Sequence, residues 1–100
     1  PNYFDNVTGL FKNFMDRLHP LYKNESIRNK SIIYIFTGGG KEDGTREEME
    51  KAVYGLNRYL KLNVLKNYSY QALNLHDIEI QRTKINNMIE EIKNIDIKIQ

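Results

Sequence analysis

Three consecutive glycines, Gly38 to Gly40, follow Thr37 at the end of an apolar run. Glycine lets a backbone turn sharply, reach positive φ and lie close to a flat ligand, because it has no Cβ. The run itself, Ile32 to Phe36, has five apolar or aromatic residues, three of them β-branched, and is typical of a strand buried on both faces. Ligands of open α/β sheets bind at the carboxyl ends of strands. The sequence therefore predicts that Thr37 to Gly40 forms one wall of a ligand site.

A phosphate-binding P-loop is a poorer interpretation of this glycine-rich stretch. That motif requires Gly-x-x-x-x-Gly-Lys-Ser/Thr, whereas here Thr45 directly follows the second glycine of that spacing and the lysine is missing. Glu42 and Asp43 would also repel a phosphate group. A plain strand-to-helix turn that binds nothing is the alternative to a ligand wall.

Neither a catalytic side chain nor a metal site is indicated by the residue types. The chain has no cysteine, which excludes disulfides, thiolate metal sites and a cysteine nucleophile within these residues. His19 and His76 have no spacing to carboxylates that is typical of metal ligands, and no Ser–His–Asp arrangement can be proposed. The residue types therefore indicate neither a metal site nor a catalytic triad.

Charge and hydropathy argue against several classes of partner. The net charge is +2, and residues 51–100 carry eight Lys or Arg against five Asp or Glu. These basic residues are dispersed and do not cluster with aromatic residues, so we expect no nucleic-acid binding. No apolar run approaches the roughly 20 residues of a membrane span. The lack of cysteine fits a reducing compartment, and we expect a cytoplasmic protein without membrane contact.

A first helix is predicted before the apolar strand. Apolar residues recur at intervals of three and four between Val7 and Leu18, which is typical of a helix with one apolar stripe. Asn6 or Thr8 can cap its first turn by accepting a backbone N–H. Pro20 disfavours helical geometry at the preceding residue, so the helix should end near His19.

Two further helices and a second strand are predicted after the glycines. Thr45 and Glu48 have the spacing of a capping box, which predicts the start of the second helix. The segment 63–70 contains valine, leucine and tyrosines and predicts a strand. The last helix, capped by Asp77, keeps a period of about 3.6 residues as far as Ile95. This alternation of strand and helix predicts a layered α/β fold with parallel strands, although two strands are too few for a stable sheet.

Two stretches resemble one known family. The first is Pro-Asn-Tyr-Phe-Asp-Asn-Val-Thr-Gly at residues 1–9, continued by Lys12, Phe14, Met15, Asp16 and Arg17. It is similar to the segment SPVYFGNVSG…K.FIDR of the flavodoxin-like NADPH-dependent FMN reductases and NAD(P)H:quinone reductases. The second, Lys30 to Gly40, resembles the next strand of that family, which ends in a threonine and paired glycines.

The resemblance implies a fold, a cofactor and a set of site residues. The fold would be a flavodoxin-like three-layer sandwich with a parallel sheet, of which residues 1–100 supply the C-terminal half, with two strands and three helices. FMN would be the cofactor, NAD(P)H the electron donor, and the assembly a homo-oligomer. The residues implied to line the FMN ring are Pro1, Asn2, Tyr3, Phe4, Asp5, Asn6, Thr37, Gly38, Gly39 and Gly40.

The chain departs from the family at the phosphate of FMN. The family binds this phosphate with a loop rich in serine, threonine and arginine after its first strand, and residues 1–100 contain no such loop. We therefore expect these residues to be part of a longer protein, or half of the site to come from elsewhere. Residues 1–100 alone should not hold FMN tightly.

Three functions are compatible with this reading. The expected one is an FMN-dependent NAD(P)H oxidoreductase that passes electrons to a quinone, flavin or similar acceptor, since the cofactor carries the redox chemistry. A flavodoxin-type electron carrier is an alternative, but such carriers are strongly acidic and the sequence pI is about 8.9. The other alternative is a flavin-free interaction module that retains half of the fold.

Overall fold

Strands and helices alternate along the chain as the sequence predicts. The computed structural model describes residues 1–2, 6–21 and 23–99. The elements are α1 (Gly9–Leu18), a 3₁₀ turn (His19–Leu21), β1 (Ser31–Gly38), α2 (Glu42–Tyr59), β2 (Asn63–Gln71), α3 (Leu75–Ile80) and α4 (Arg82–Ile99). The predicted α/β class is confirmed, and the arrangement is that of a partial flavodoxin-like fold.

The sheet consists of β1 and β2, which run parallel. Ser31 pairs with Asn63 at one end and Gly38 with Gln71 at the other, with one register shift between Ile32 and Ile33. Parallel strands need a long crossover connection, and α2 supplies it. Both strands therefore end at the same edge of the sheet, where the glycines begin.

One face of the sheet packs against α2. Tyr34 and Phe36 are buried there against Met49 and Val53 of α2, and the two rings of β1 stack with centroids 5.4 Å apart. Val7 and Phe11 at the start of α1 pack against the same cluster. Alternate residues of a strand point to the same face, which explains why these two aromatic residues share one environment.

The other face of the sheet packs against α4. Tyr68, Tyr70 and Met88 are buried there, with Ile33 and Ile85 packed against them. The molecule thus has three layers, with α1 and α2 on one side and α4 on the other. The prediction that the strand is buried on both faces is wrong at Ile35, whose side chain is 50% exposed. Because side chains alternate along a strand, Ile35 lies on the face of β1 opposite to the buried Tyr34 and Phe36.

Helix α1 has the predicted cap and end. The Thr8 hydroxyl accepts the backbone N–H of Phe11 at 3.0 Å, and the 3₁₀ turn at His19–Leu21 follows Leu18 directly. The predicted apolar stripe is only partly covered, because Leu10 and Phe14 are exposed. No helix in the described ranges is both long and apolar enough to cross a membrane.

Helix α2 begins three residues before the predicted capping box. Lys41 is its N-cap, and Thr45 lies inside the helix, where its backbone N–H donates to the Lys41 carbonyl at 3.1 Å. Glu42 and Asp43 occupy the first turn, where acidic side chains complement the partial positive charge of a helix N-terminus. The Thr45 side chain is 3% exposed and packs beside Gly38, so tertiary packing replaces the capping role.

The predicted last helix is two helices, so the described residues form four α-helices and not three. Asn74, not Asp77, is the N-cap of α3: the Asn74 side chain accepts the N–H of Asp77 at 3.1 Å, and Asp77 accepts the N–H of Asn74 at 3.2 Å. Gln81 separates α3 from α4, and its side-chain amide donates to the carbonyls of Gln71 at 2.6 Å and Asp77 at 2.7 Å. The break is thus held by a contact with the end of β2.

Candidate functional site

The N-terminal segment and the glycine turn meet at the carboxyl end of β1. The backbone N–H of Asn2 donates to the Thr37 carbonyl at 2.6 Å. The next carbonyl, of Gly38, accepts the N–H of Ala72 at 2.8 Å on the β2 side. Successive carbonyls of a strand point to opposite edges, so Asn2 lies at the edge of β1 that faces away from β2. The two predicted walls are therefore neighbours, at the end of the sheet where ligands of such folds bind.

At Gly38, the end of β1 lies against both the N-terminal segment and α2. A Cβ built on Gly38 would lie 2.7 Å from the Thr45 hydroxyl oxygen and 3.2 Å from the Asn2 Cβ. A contact under 3.0 Å forces something to move, so a side chain at this position would displace the Thr45 side chain or the backbone of β1. None of the glycines has a positive φ, so the conformational freedom of glycine is not used here. Gly38 provides space and not an unusual backbone conformation.

The Asn2 side chain carries a polar atom without a partner. Its Oδ1 is buried and has no hydrogen-bond partner within the part of the chain that the structure describes. A buried acceptor of this kind costs free energy unless it is paired. Asn2 therefore offers a hydrogen-bond acceptor beside the glycine turn, where a donor on a bound molecule could satisfy it.

The end of β2 adds a third segment to this edge. The Gln71 side-chain amide donates to the Gly39 carbonyl at 2.9 Å. A methyl carbon of Leu73, Cδ1, lies 3.3 Å from the position that a Cβ on Gly39 would take. Neither Gln71 nor Leu73 belongs to the site predicted from the sequence. Their place depends on the parallel pairing of β1 and β2, which brings residues 32 positions apart together.

An apolar cleft opens beside the site. It has a volume of about 330 Å³ and is lined mainly by residues of α1, β1 and α2. Its lining includes Pro1, Phe11 and Phe14 on one side and Ile35 and Phe36 on the other. Three large apolar residues of the lining, Leu10, Phe14 and Ile35, are exposed. The cleft thus continues the site along the edge of β1 that β2 does not cover.

The remaining predicted site residues differ in their surroundings. Gly39 and Gly40 are exposed, and a Cβ on Gly40 would meet no atom within 4 Å. Asn6 is exposed, and its side-chain oxygen accepts the N–H of Val7 at 2.8 Å. The predictions for Tyr3, Phe4 and Asp5 lie outside the described residues.

Tyrosine side chains beneath the site are neutral. Tyr70 pairs with Thr37 in the register, and its pKa is raised by burial and then by the nearby carboxylates of Glu91 and Glu42. Burial also raises the pKa of Tyr34 to about 12, although the hydrogen bond to Asn57 opposes this effect. The core below the glycine turn therefore holds uncharged aromatic rings.

The model of the NADPH-dependent FMN reductase family matches residues 1–77, which include both walls of the site. The chain belongs to this family. Searches among curated proteins and among solved structures gave no match. In this FMN reductase homologue, α4 follows the matched residues.

FMN suits the residues present on this edge of the sheet. The flavin ring of FMN is flat and apolar in its centre, with N–H and C=O groups along its rim. The unpartnered Asn2 Oδ1 could accept from a ring N–H, and the exposed backbone of Gly39 and Gly40 can be approached closely. Aromatic and aliphatic groups along the adjoining cleft provide apolar area. The chemistry of these groups matches that of the cofactor the family uses.

Proposed function

We propose that the protein is an FMN-dependent NAD(P)H oxidoreductase that passes electrons to a quinone, flavin or similar small acceptor. The observation that supports this most directly is the 2.6 Å hydrogen bond between Asn2 and Thr37, which joins the two walls at the carboxyl end of β1. Membership of the NADPH-dependent FMN reductase family supplies the reaction class.

Residues of both walls would hold the FMN ring in this proposal. They are Pro1, Asn2, Tyr3, Phe4, Asp5, Asn6, Thr37, Gly38, Gly39 and Gly40. Asn2 and the glycine backbone would fix the polar rim of the ring, while the hydrogen bond from Asn2 to Thr37 keeps the two walls together. No side chain has to donate or accept a proton, because the protein contributes position and the exclusion of water.

Bound FMN supplies two-electron chemistry, taking a hydride from NAD(P)H and delivering both electrons to the acceptor. With a quinone, the balanced reaction is NADPH plus quinone plus one proton giving NADP⁺ plus hydroquinone. The proton comes from solvent. The open glycine turn would leave one side of the site accessible to donor and acceptor in succession.

Residues 1–100 form the C-terminal half of the FMN-binding domain in this proposal. Near the end of β1, the Asn2 N–H donates a hydrogen bond to the edge of the strand that faces away from β2. The cleft beside that edge has an apolar lining, which a further strand and helix would cover. The half-exposed Ile35 on the α4 side of the sheet has the same explanation. The phosphate of FMN would be bound by residues outside this half.

Self-association is a further part of the proposal. Helices α1 and α2 leave large apolar or aromatic side chains uncovered by the described residues. These are Leu10, Phe14, Tyr54 and Tyr59. We expect a homo-oligomer in the cytoplasm. Light scattering of the full-length protein measures the oligomeric state, and a monomer at all concentrations would contradict this part.

NADPH oxidation by the full-length, FMN-loaded protein tests the proposed function. We expect FMN to bind with its absorbance bands shifted, and NADPH to be consumed when a quinone is added, with one hydroquinone formed per NADPH. Asn2→Ala should weaken FMN binding without unfolding the protein, because its backbone N–H still bonds Thr37. FMN binding without NADPH turnover would indicate an electron carrier, and no FMN binding would indicate an interaction module.

A further inference from the structure

Leu73 is an apolar side chain that is both exposed and held in place beside the glycine turn. It is 71% exposed, yet its Cδ1 lies 3.3 Å from the Cβ position of Gly39. An exposed leucine on a surface usually needs no explanation. This one directly adjoins the loop that is proposed to hold the cofactor.

The backbone around Leu73 is fixed on both sides. The Leu73 N–H donates to the Asp77 carboxylate at 2.8 Å, and the preceding Ala72 N–H donates to the Gly38 carbonyl at 2.8 Å. Gln71 binds the Gly39 carbonyl at 2.9 Å. These bonds tie the end of β2 to both the glycine turn and α3, so the backbone that carries Leu73 is held in a defined position. A preorganised apolar group loses little conformational entropy when a ligand covers it.

We propose that Leu73 is a specificity-determining residue that packs against the apolar ring of the electron acceptor, and that it favours quinones over polar acceptors. This inference rests on the proposed reductase function. The Leu73 Cδ1 methyl group lies beside Gly39 in the glycine turn, so an acceptor that rests on the exposed side of this glycine would contact it. Leu73 takes no part in electron or proton transfer and contributes only apolar contact.

Three variants of the full-length, FMN-loaded protein test this role. With menadione as the acceptor, Leu73→Ala and Leu73→Gln should raise KM about fivefold, because apolar contact with the ring is lost. The values of KM for NADPH and for ferricyanide should change by less than about twofold. Leu73→Met, which keeps an apolar side chain of similar size, should retain the wild-type KM for menadione.

A binding measurement without turnover provides the second readout. Isothermal titration of menadione into the oxidised, FMN-loaded protein, with no NADPH present, should give a Kd that rises with KM in Leu73→Ala. Leu75→Ala is the matched control, because Leu75 is 72% exposed and has no atom within 4 Å of the Cβ positions of Gly39 or Gly40. We expect both constants to be unchanged in this control.

The outcomes separate this inference from the proposed function. If the wild type turns over NADPH but Leu73→Ala leaves KM and Kd for menadione unchanged, the role of Leu73 is overturned and the reductase function stands. An equal effect of Leu75→Ala, or a rise in KM for NADPH instead of menadione, would also overturn it. If the wild type binds no FMN and oxidises no NADPH, the proposed function fails, and the role of Leu73 fails with it.

Discussion

Gly38 is the residue at which the two walls of the candidate site and α2 are closest. We predict that Gly38→Ala lowers the free energy of unfolding by about 1–3 kcal/mol, because its Cβ would lie 2.7 Å from the Thr45 hydroxyl oxygen. Urea unfolding of the full-length protein measures this change. Gly40→Ala is the control, since its Cβ meets nothing within 4 Å and its φ is not positive.

A double-mutant cycle assigns the effect to its contact. Thr45→Ala removes the hydroxyl and methyl groups that the new Cβ would meet, so it should restore much of the stability lost in Gly38→Ala. Additive losses in the double mutant, or equal losses in Gly38→Ala and Gly40→Ala, would show that this close packing is not the reason for the glycine.

We predict that ionisation of the Tyr68 hydroxyl lowers the free energy of unfolding at high pH. Its hydroxyl donates to Glu91 at 2.6 Å, and burial followed by this carboxylate raises the pKa of Tyr68 from 10.0 to about 12. The folded protein therefore holds this proton more tightly than the unfolded chain. The stabilisation is complete below pH 10 and is lost as the pH rises toward 12.

Tyr68→Phe provides the measurement. The free energy of unfolding of the wild type should decrease between pH 10 and 12, and the buried Tyr34, with a pKa also raised to about 12, contributes to the decrease. Removal of the Tyr68 hydroxyl should reduce this slope by about 1 kcal/mol per pH unit. Glu91→Gln should shift the decrease toward lower pH, because the carboxylate that raises the pKa is gone. A slope equal to that of the wild type in Tyr68→Phe would be inconsistent with the raised pKa.

At the scale of elements, the spacing of apolar residues predicts that a helix or strand exists better than it predicts where that helix or strand begins and ends. The apolar spacing of α1 and the run of β1 are local features, and both elements form where the sequence predicts them. Thr45 packs beside Gly38 and does not cap α2, and at the break the Gln81 side chain donates to the carbonyl of Gln71. These contacts join different elements, so no local pattern could reveal them.

The same reason explains what could be predicted of the site. The glycines and the segment 1–6 were predicted as walls, and Asn2, Thr37 and Gly38 do meet. Gln71 and Leu73 could not be predicted, because their position follows from the pairing of β2 with β1. Asn74 and Asp77 carry the one local signal in this region, since their spacing fits a capping box.

The capping box of α3 should stabilise the loop that carries Leu73. Asn74→Ala removes the acceptor for the Asp77 N–H and should cost about 1 kcal/mol. Amide hydrogen exchange should become faster in residues 73–80 and stay unchanged in α1. Asn94→Ala, within α4, is the control and should be neutral or slightly stabilising, because alanine has the higher helix propensity. Unchanged exchange in residues 73–80 would mean that the cap does not hold this loop.

At the scale of the whole molecule, the half-exposed Ile35 tests the proposed half-domain. Ile35 is 50% exposed within residues 1–100, but it should be covered in the full-length protein. We predict that Ile35→Lys destabilises the full-length protein by about 2 kcal/mol or more, because the lysine would bury a charge. Ile80→Lys is the matched control, since Ile80 is 67% exposed on α3, and it should change stability by less than about 0.5 kcal/mol. If thermal or urea unfolding shows the same loss of stability in Ile35→Lys and Ile80→Lys, no further element covers Ile35 in the full-length protein.

The most direct test of the site is amide hydrogen exchange of the full-length protein with and without FMN. Binding should slow exchange at Asn2 and from Gly38 to Lys41, while residues 60–62, which precede β2 at the opposite end of the sheet, should be unaffected. If FMN binds, as its absorbance would report, but protection is absent from both walls or falls instead at residues 60–62, the cofactor does not occupy the carboxyl end of β1.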